Sequence, residues 1–361
     1  MSLLKPWIAI CLFSLLTACA QTEGDASVSE IYKEEAYVFG TLVSFTIVGV
    51  PKDVARKAVK EVGEEFQHMH EDWHAWKAGE LSRLNDAISN GKTMEVSDFL
   101  LPLIIQGKEF SQQSEGLFNP AMGALIEAWG FHSDELPTGA LPSMDKINEL
   151  AARAASMDDV EITGRLVSSK NNLVQFDFGG FGKGAALDRA EEILKAHGIR
   201  NAVINAGGDL NTLGNPEAAS VGKLEGRPWK VGIRHPINWG VIASVELQDG
   251  ENLYTSGNYE RFRMEEGIKY AHIIDPRDGM PVQHIVSTSV IHENGALADA
   301  AATALTVAGP DDWYRIARKM GVRYVMLIDA SGTAYLTPAM RERVKFETDE
   351  PTRLVVSRPM N

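Results

Sequence analysis

The sequence predicts an α+β fold built as one continuous unit. Three observations carry this. Runs of β-branched and aromatic residues recur along the chain, several of them joined by hairpin-like turns. A few long helical patterns interrupt them without the strict alternation of a parallel sheet. No linker separates two halves, and no repeat at solenoid spacing is present. With 361 residues, 44% of them hydrophobic, the chain has enough apolar surface for a sizeable core.

In chain order, residues 37–48 read as a β-branched, aromatic strand. Pro51 opens a helix on which Val54, Ala58, Val62, Phe66 and Met69 recur at steps of three or four, with Trp73 and Trp76 following. A second helix is expected over 97–114 with Ser97 as N-cap, a third over 119–129, and another over 144–155. Residues 173–178 read as a short strand before the run Gly179-Gly-Phe-Gly-Lys-Gly184. Leu187, Ala190, Ile193 and Leu194 then mark a helix stopped by Gly198. Strands are expected at 201–205, 229–234, 241–247, 272–275, 287–291 and 322–329, with helices at 297–307 and 310–320.

Charge and cysteine usage narrow the function. The formal net charge is −14, and Lys and Arg are scattered rather than gathered in a stripe. This argues against a nucleic-acid partner. An anionic ligand would need local help from a cation or from backbone amides. Residues 1–18 read as a signal segment: Lys5, then an apolar run from Trp7 to Leu16 that is short for a bilayer span. The run ends in Leu16-Thr-Ala-Cys19, which resembles a bacterial lipobox and implies lipidation of Cys19; a plain signal peptide is the alternative. Residues 19–33 then serve as a tether, and 34–350 as the folded domain. The two cysteines, Cys11 and Cys19, both lie in the leading segment, so the mature domain has no disulfide and no cysteine nucleophile.

Four stretches suggest chemistry. The glycine run 179–184 fails as a Walker loop: Asp177 stands where the first glycine is required, and Gly184 follows Lys183 where Ser or Thr is required. Gly180, Gly182 and Ala185 match a dinucleotide fingerprint loosely. A tight strand-to-helix turn would explain two or three of the glycines; four in six point to backbone brought close to an anion. The second stretch, Asn205-Ala-Gly-Gly-Asp-Leu210, ends a strand and pairs with the first as a second loop. The third combines residues 254–261 with His272-Ile-Ile-Asp-Pro-Arg-Asp-Gly-Met-Pro281, where Asp275 serves either the turn before Pro276 or a partnership with His272. In the fourth, Asp299 and Thr303 stand at i and i+4 on one helix face. There a carboxylate either caps a helix or binds a hard cation such as Mg²⁺.

Taken in order, Phe39-Gly-Thr41, Glu80-Leu-Ser-Arg-Leu-Asn85, Gly116 to Gly123 with Trp129-Gly-Phe131, Asp177 to Asp188, Asn205 to Leu210, Ser256 to Tyr259, His272 to Pro281 and Ala298 to Ala304 closely resemble the ApbE flavin transferases. The resemblance covers about residues 37–346. It implies two similar, interlocked α+β subdomains with FAD between them and Mg²⁺ on its pyrophosphate. It places the metal on Asp299, Thr303 and the carbonyl of Gly180. Flavin contacts are implied for Phe39, Trp76, Phe118, Asn119, Pro120, Asp177, Lys183 and Ile274. The chain departs from the family at Phe39, where many members have Met, at Lys183, where some have Glu, and at Ala302, where some have a metal-ligating Asp.

The implied activity is transfer of the FMN half of FAD to a Ser or Thr hydroxyl of a flavin-acceptor protein of a membrane redox complex, with AMP leaving. A sodium-pumping quinone reductase subunit and a flavoprotein of nitrous-oxide respiration are the expected acceptor types. The implied setting is a lipoprotein at the periplasmic side of a membrane. His272 is the candidate general base and Asp275 its candidate orienter. Two other readings share these residues: an FAD pyrophosphatase, with water as acceptor, and a non-catalytic flavin-binding lipoprotein.

Overall fold

The computed structural model describes residues 31–133, 137, 139–216, 227–347 and 351–360. Cys19 and the signal segment lie outside them, and the last three residues expected of the tether open the first strand. The elements run β1 (Ile31–Val38), β2 (Thr41–Val48), α1 (Lys52–Asp72), α2 (Glu80–Ser89), β3 (Met94–Glu95), α3 (Leu101–Gln113), α4 (Gly123–Ala128), α5 (Met144–Ala152), β4 (Val160–Thr163) and β5 (Leu166–Ser169). They continue with α6 (Gly182–Ala196), β6 (Asn201–Ala206), β7 (Asp209–Leu213), β8 (Trp229–Arg234), β9 (Val241–Leu247), β10 (Asn252–Gly257), β11 (Phe262–Glu265) and β12 (Ile268–Ala271). The chain closes with β13 (Ile285–His292), α7 (Gly295–Lys319), β14 (Tyr324–Asp329), β15 (Thr333–Leu336), α8 (Pro338–Arg343), β16 (Lys345–Phe346) and β17 (Arg353–Val356). The fold is the mixed α+β class expected.

Nine strands form one sheet in the order β1-β2-β6-β7-β10-β13-β14-β15-β17, antiparallel except for β15 with β17. Its central strands are buried on both faces. Along β10, β13 and β14, Tyr254, Val290, Val325 and Leu327 enter one core, while Leu253, Ile291, Met326 and Ile328 enter the other. This is the period-two alternation of a strand, here apolar on both sides. The larger core lies under α1, α3, α6 and α7; of the α1 face read from the sequence Ala58, Val62, Phe66 and Met69 are buried, Val54 is only half-buried, and Ala55 and Val59 complete the face. The smaller core is closed by the three-stranded sheet β16-β9-β8 and by Met340 of α8.

Several expected elements differ. Residues 37–48 form two strands, because Phe39 and Gly40 both take positive φ (55° and 71°) and turn the chain into a hairpin. Residues 173–178 make no regular strand: they pair with the loop 120–123 through one bridge at Gln175, and the buried Asn85 amide takes both backbone groups of Phe176. Helix α3 starts at Leu101, four residues after the expected cap, although Ser97 Oγ does accept the Leu100 amide at 3.1 Å. The helices expected over 119–129 and 144–155 shorten to α4 and α5. Strand β12 stops at Ala271, so His272 to Asp275 lie in the turn that follows. The two helices expected at the end are borne out as the two arms of α7, which separate at Gly309, φ 71°, where Pro310 cannot donate to the preceding turn; the first arm begins two residues earlier than expected, at Gly295.

The crossing of α6 and α7 positions the site. Their first turns meet backbone to backbone: a Cβ on Gly184 would lie 2.4 Å from the Gly295 carbonyl oxygen. Around this contact the helices cap each other. Asp188 of α6 accepts the Gly295 and Ala296 amides of α7 at 2.9 and 3.0 Å, and Asp299 of α7 accepts the Gly184 amide of α6 at 3.1 Å. Each carboxylate satisfies first-turn amides that have no partner within their own helix and faces the positive end of its neighbour's dipole.

One substitution made at two glycines should therefore give opposite signs. Gly184→Ala drives a methyl into backbone and is expected to destabilise by about 3 kcal/mol. Gly63→Ala, at an exposed position of α1 with nothing within 4 Å of the new methyl, is expected to stabilise by about 1 kcal/mol. Urea unfolding midpoints of the two variants decide both.

Candidate active site

The glycine run closes a tight turn before α6. Asp177 Oδ1 accepts the Gly179 amide at 2.7 Å, and the Phe178 carbonyl accepts from Gly182 at 2.6 Å. Gly180 is thereby pressed between the Phe118 ring and Thr303: a Cβ there would sit 3.1 Å from the ring and 3.6 Å from Thr303 Oγ1. Thr303 Oγ1 also lies 3.2 Å from Ser256 Oγ, at the end of β10. Asp299, one turn earlier on α7, is 5% exposed. The expected metal residues Gly180, Asp299 and Thr303 thus converge.

Lys183 lies among acids at this point. Its ammonium pairs with Asp209, whose other oxygen accepts the Thr255 amide at 2.9 Å. Burial alone would lower the Lys183 pKa, but Asp209 and then Asp299 outweigh it and hold the amine charged. Burial pushes Asp299 up to about 7, against the pull of Lys183.

The second glycine loop stands beside the first hairpin. Strands β2 and β6 are neighbours, and the Gly207 turn meets Thr41 so closely that a Cβ there would be 2.5 Å from its hydroxyl. The Phe39 turn is therefore wedged against the loop. Phe39 itself packs edge-on to Phe66 at 5.3 Å. Its left-handed backbone is unusual for a bulky residue and is held by this packing.

The other expected flavin residues form a connected wall. Burial raises the Asp177 carboxyl, and hydrogen bonds from the Gly179 amide and the Trp76 side chain oppose the rise. The Asp177 amide donates to the Pro120 carbonyl at 2.9 Å. Asn119 fixes the Phe118–Pro120 segment by donating to the Ala155 carbonyl at 2.8 Å and accepting from the Ala121 amide. Ile274 is buried with Met122, Leu125 and Trp129, and the Trp129 indole donates to the Gly279 carbonyl at 2.7 Å. The turn carrying Ile274 is thus tied to the segment carrying Asn119.

His272 is half-buried, with the Phe131 ring 6.3 Å away and Nδ1 3.1 Å from the Arg261 carbonyl oxygen. A carbonyl only accepts, so Nδ1 carries the proton and Nε2 holds the free lone pair of the neutral ring. Burial first, then the charges of Arg261 and Lys183, pull its pKa down to about 4. The ring is neutral at pH 7. Asp275 does not serve it. Both Asp275 oxygens are taken by the Arg277 guanidinium, at 2.5 Å to its nearer nitrogen, and its backbone closes the turn through Met280 and Gly279. Of the two roles open to Asp275, the structure gives the turn, because the Arg277 fork fits a carboxylate two residues away.

The arrangement fits Mg²⁺. A carboxylate shielded from water, a threonine hydroxyl one turn along and a glycine-loop backbone supply hard oxygen, and a cation there would hold Asp299 ionised at little cost. Ala302 adds no ligating side chain. Among the described residues no cluster of three or more His, Cys, Asp or Glu side chains could hold a metal, so phosphate oxygens and water would complete the shell. Sequence reasoning missed Asp188, Asp209, Ser256 and Arg261 as site residues. Asp209 follows two glycines, and Ser256 and Arg261 lie in the third stretch, 254–261; Asp188 carried no signal of its own beyond closing the 177–188 stretch.

The chain matches the profile of the ApbE family over residues 39–326. It is 50% identical over 312 residues to an FAD:protein FMN transferase of Rhodobacter capsulatus, covering 86% of this chain and 58% of that protein. It is 29% identical over 315 residues to an FAD:protein FMN transferase of Treponema pallidum (strain Nichols), covering 84% of each. The crystal structure of an ApbE protein from Thermotoga maritima superposes with a TM-score of 0.77 at 27% identity, covering 89% of this chain and 100% of that one.

The depressed His272 pKa has a pH signature. Between about 4 and the ordinary histidine value of 6.5 the unfolded chain binds a proton that the native chain does not. Stability is therefore fully present above that window and falls as pH drops through it. His272→Asn is expected to flatten ΔG of unfolding against pH in this window, removing a slope of up to about 1.4 kcal/mol per pH unit. Urea titrations at pH 4.5, 5.5 and 7 check this; equal slopes in both proteins would mean the ring titrates freely.

Proposed function

Because the chain belongs to the ApbE family, we propose that it binds FAD with Mg²⁺ and transfers the FMN half to a Thr or Ser hydroxyl of an acceptor protein, releasing AMP. It is an enzyme of flavin transfer, like the relatives it resembles. The observation that carries the finer reading is the meeting of three functions in one place. The Asp299–Thr303 face suits a cation, the glycine loop with Lys183 suits a pyrophosphate, and the neutral His272 ring lies near enough to Lys183 to feel its charge.

In this reading the acceptor hydroxyl oxygen forms a bond to the phosphorus nearer riboflavin, and the bond from that phosphorus to the bridging oxygen breaks. AMP leaves with the bridging oxygen, and His272 Nε2 takes the hydroxyl proton. Mg²⁺, when bound, neutralises charge on the pyrophosphate. Lys183 adds a fixed positive charge on the same group, while Phe39, Trp76 and the Phe118–Pro120 segment hold the flavin and fix its direction. Catalysis then rests on positioning and charge neutralisation, as phosphoryl transfer requires.

The acceptor is a subunit of a membrane redox complex, and Cys19 carries the lipid that keeps the enzyme beside it on the periplasmic face. No helix among the described residues is long and apolar enough to cross a membrane; the lipid anchor rests on the Leu16-Thr-Ala-Cys19 pattern. Cys19→Ser is expected to move the protein from the membrane fraction to the soluble one, or to leave the unprocessed precursor. Unchanged fractionation and migration would overturn the lipid anchor.

The transfer itself is read by incubating the protein with FAD, Mg²⁺ and a purified acceptor domain of a sodium-pumping quinone reductase. The acceptor is expected to gain the mass of FMN, in equal amount to the AMP released. Asp299→Ala should abolish transfer, whereas a carboxylate that only capped α6 would cost about 1 kcal/mol of stability and leave the rate unchanged. His272→Ala should slow transfer by about 10²–10⁴ with FAD still bound. AMP with free FMN and an unlabelled acceptor would make the protein a pyrophosphatase, and intact FAD would make it a flavin-binding protein.

A further inference from the structure

The α7 helix is capped twice. Its own Asn294 accepts the Leu297 amide at 2.7 Å, which is the ordinary local cap. Asp188, from the neighbouring helix, takes the two amides before it. A second cap is not needed to start the helix, and this one is built with unusual care. Asp188 Oδ1 also accepts from Asn211 Nδ2 at 2.9 Å. Asn211, 1% exposed, is oriented by the fully buried Tyr254, whose hydroxyl donates to its Oδ1 at 2.6 Å. That bond turns the Asn211 amide so that Nδ2 faces Asp188 and Glu191, the latter at 3.2 Å. Any side chain on Gly295 would collide with this chain: a Cβ would lie 2.6 Å from Asp188 Oδ1 and 2.7 Å from the Tyr254 hydroxyl.

We infer that Asp188, held by Asn211 and Tyr254, is a positioning residue that sets the register of α7 against α6 and so places Asp299 and Thr303 at the glycine loop. Three fixed points act together: the Asp188 cap, the Gly184–Gly295 contact and the returning Asp299 cap on Gly184. Gly295 and Asp299 are one helical turn apart, so a shift at the first is passed to the second with little loss. The inference rests on the reading that Asp299 ligates Mg²⁺, and it adds which residues decide where that ligand stands. Partners that orient a metal ligand from behind typically alter metal affinity by 10–100-fold when removed.

Two variants test it. Asp188→Asn keeps the shape and removes the charge; Tyr254→Phe removes one hydroxyl and leaves the packing, and it decides the matter should Asp188→Asn fail to fold. Calorimetric titration with Mg²⁺ is expected to show about a tenfold weaker dissociation constant in Asp188→Asn and a smaller loss in Tyr254→Phe. The rate at saturating Mg²⁺ should change by less than about threefold, because the ligand is displaced rather than removed. A stability role alone would lower the urea midpoint without moving the Mg²⁺ constant. A second arm needs no metal. Asp188→Asn and Asp299→Asn are combined, and urea midpoints are compared for the single and double variants; Tyr254→Phe replaces Asp188→Asn if required. Non-additive losses support a shared register. Additive losses, or an unchanged Mg²⁺ constant where the wild type binds Mg²⁺, overturn it. A wild type that binds no Mg²⁺ would remove the metal reading of Asp299, and the additivity result would still decide the positioning role.

Discussion

The backbone contact between Gly184 and Gly295 is the constraint from which the site follows. Two helices can approach this closely only where neither carries a side chain, and the approach brings two unsatisfied first turns together. Unpaired amides at a buried crossing would be costly. The reciprocal carboxylates Asp188 and Asp299 remove that cost, and one of them is also the residue suited to a metal. Asp299 is therefore both cap and candidate ligand. The two readings that the local pattern sets against each other are compatible, because the helix it caps is α6 and not its own.

The crossing also accounts for the electrostatics. Asp299, Asp209 and Glu260 all act on Lys183, and Asp209 acts on each of the other two acids. An acidic pocket in an acidic protein would repel a pyrophosphate. Lys183, charged and anchored to Asp209, offers a fixed cation from the first turn of α6, and the backbone amides of the glycine run lie immediately before it. A divalent cation on Asp299 and Thr303 would reverse the remaining balance. His272 stands at the edge of this field, and burial together with neighbouring cations keeps its ring neutral.

Much of the molecule was legible from local pattern. The helical face of α1, the strands β6, β8 and β9, and the stop at Gly198 follow from periodicity and from glycine's freedom at a C-terminus. The site was legible where chemistry needs unusual residues close together in sequence: four glycines in six, or Asp299 and Thr303 one turn apart. The misread elements share a cause. Residues 37–48 look like one strand because Phe39 gives no sign of accepting a positive φ; its packing on Phe66 holds it there. Residues 173–178 have strand composition but find only a loop and the Asn85 amide as partners.

The sequence by itself determined the α+β class, the helix faces and the residue types available for metal, anion and base, because these depend on neighbours within about a turn or a hairpin. Only the tertiary structure decided what each group does. Asp275 belongs to Arg277, His272 owes its tautomer to the Arg261 carbonyl, and Lys183, on α6, is held charged because Asp209 reaches it from strand β7. Asp188, unremarkable among the acids of α6, became a positioning residue only when a second helix laid its first turn across it. Such roles depend on contacts between residues up to 115 positions apart, and chain connectivity alone carries no record of them.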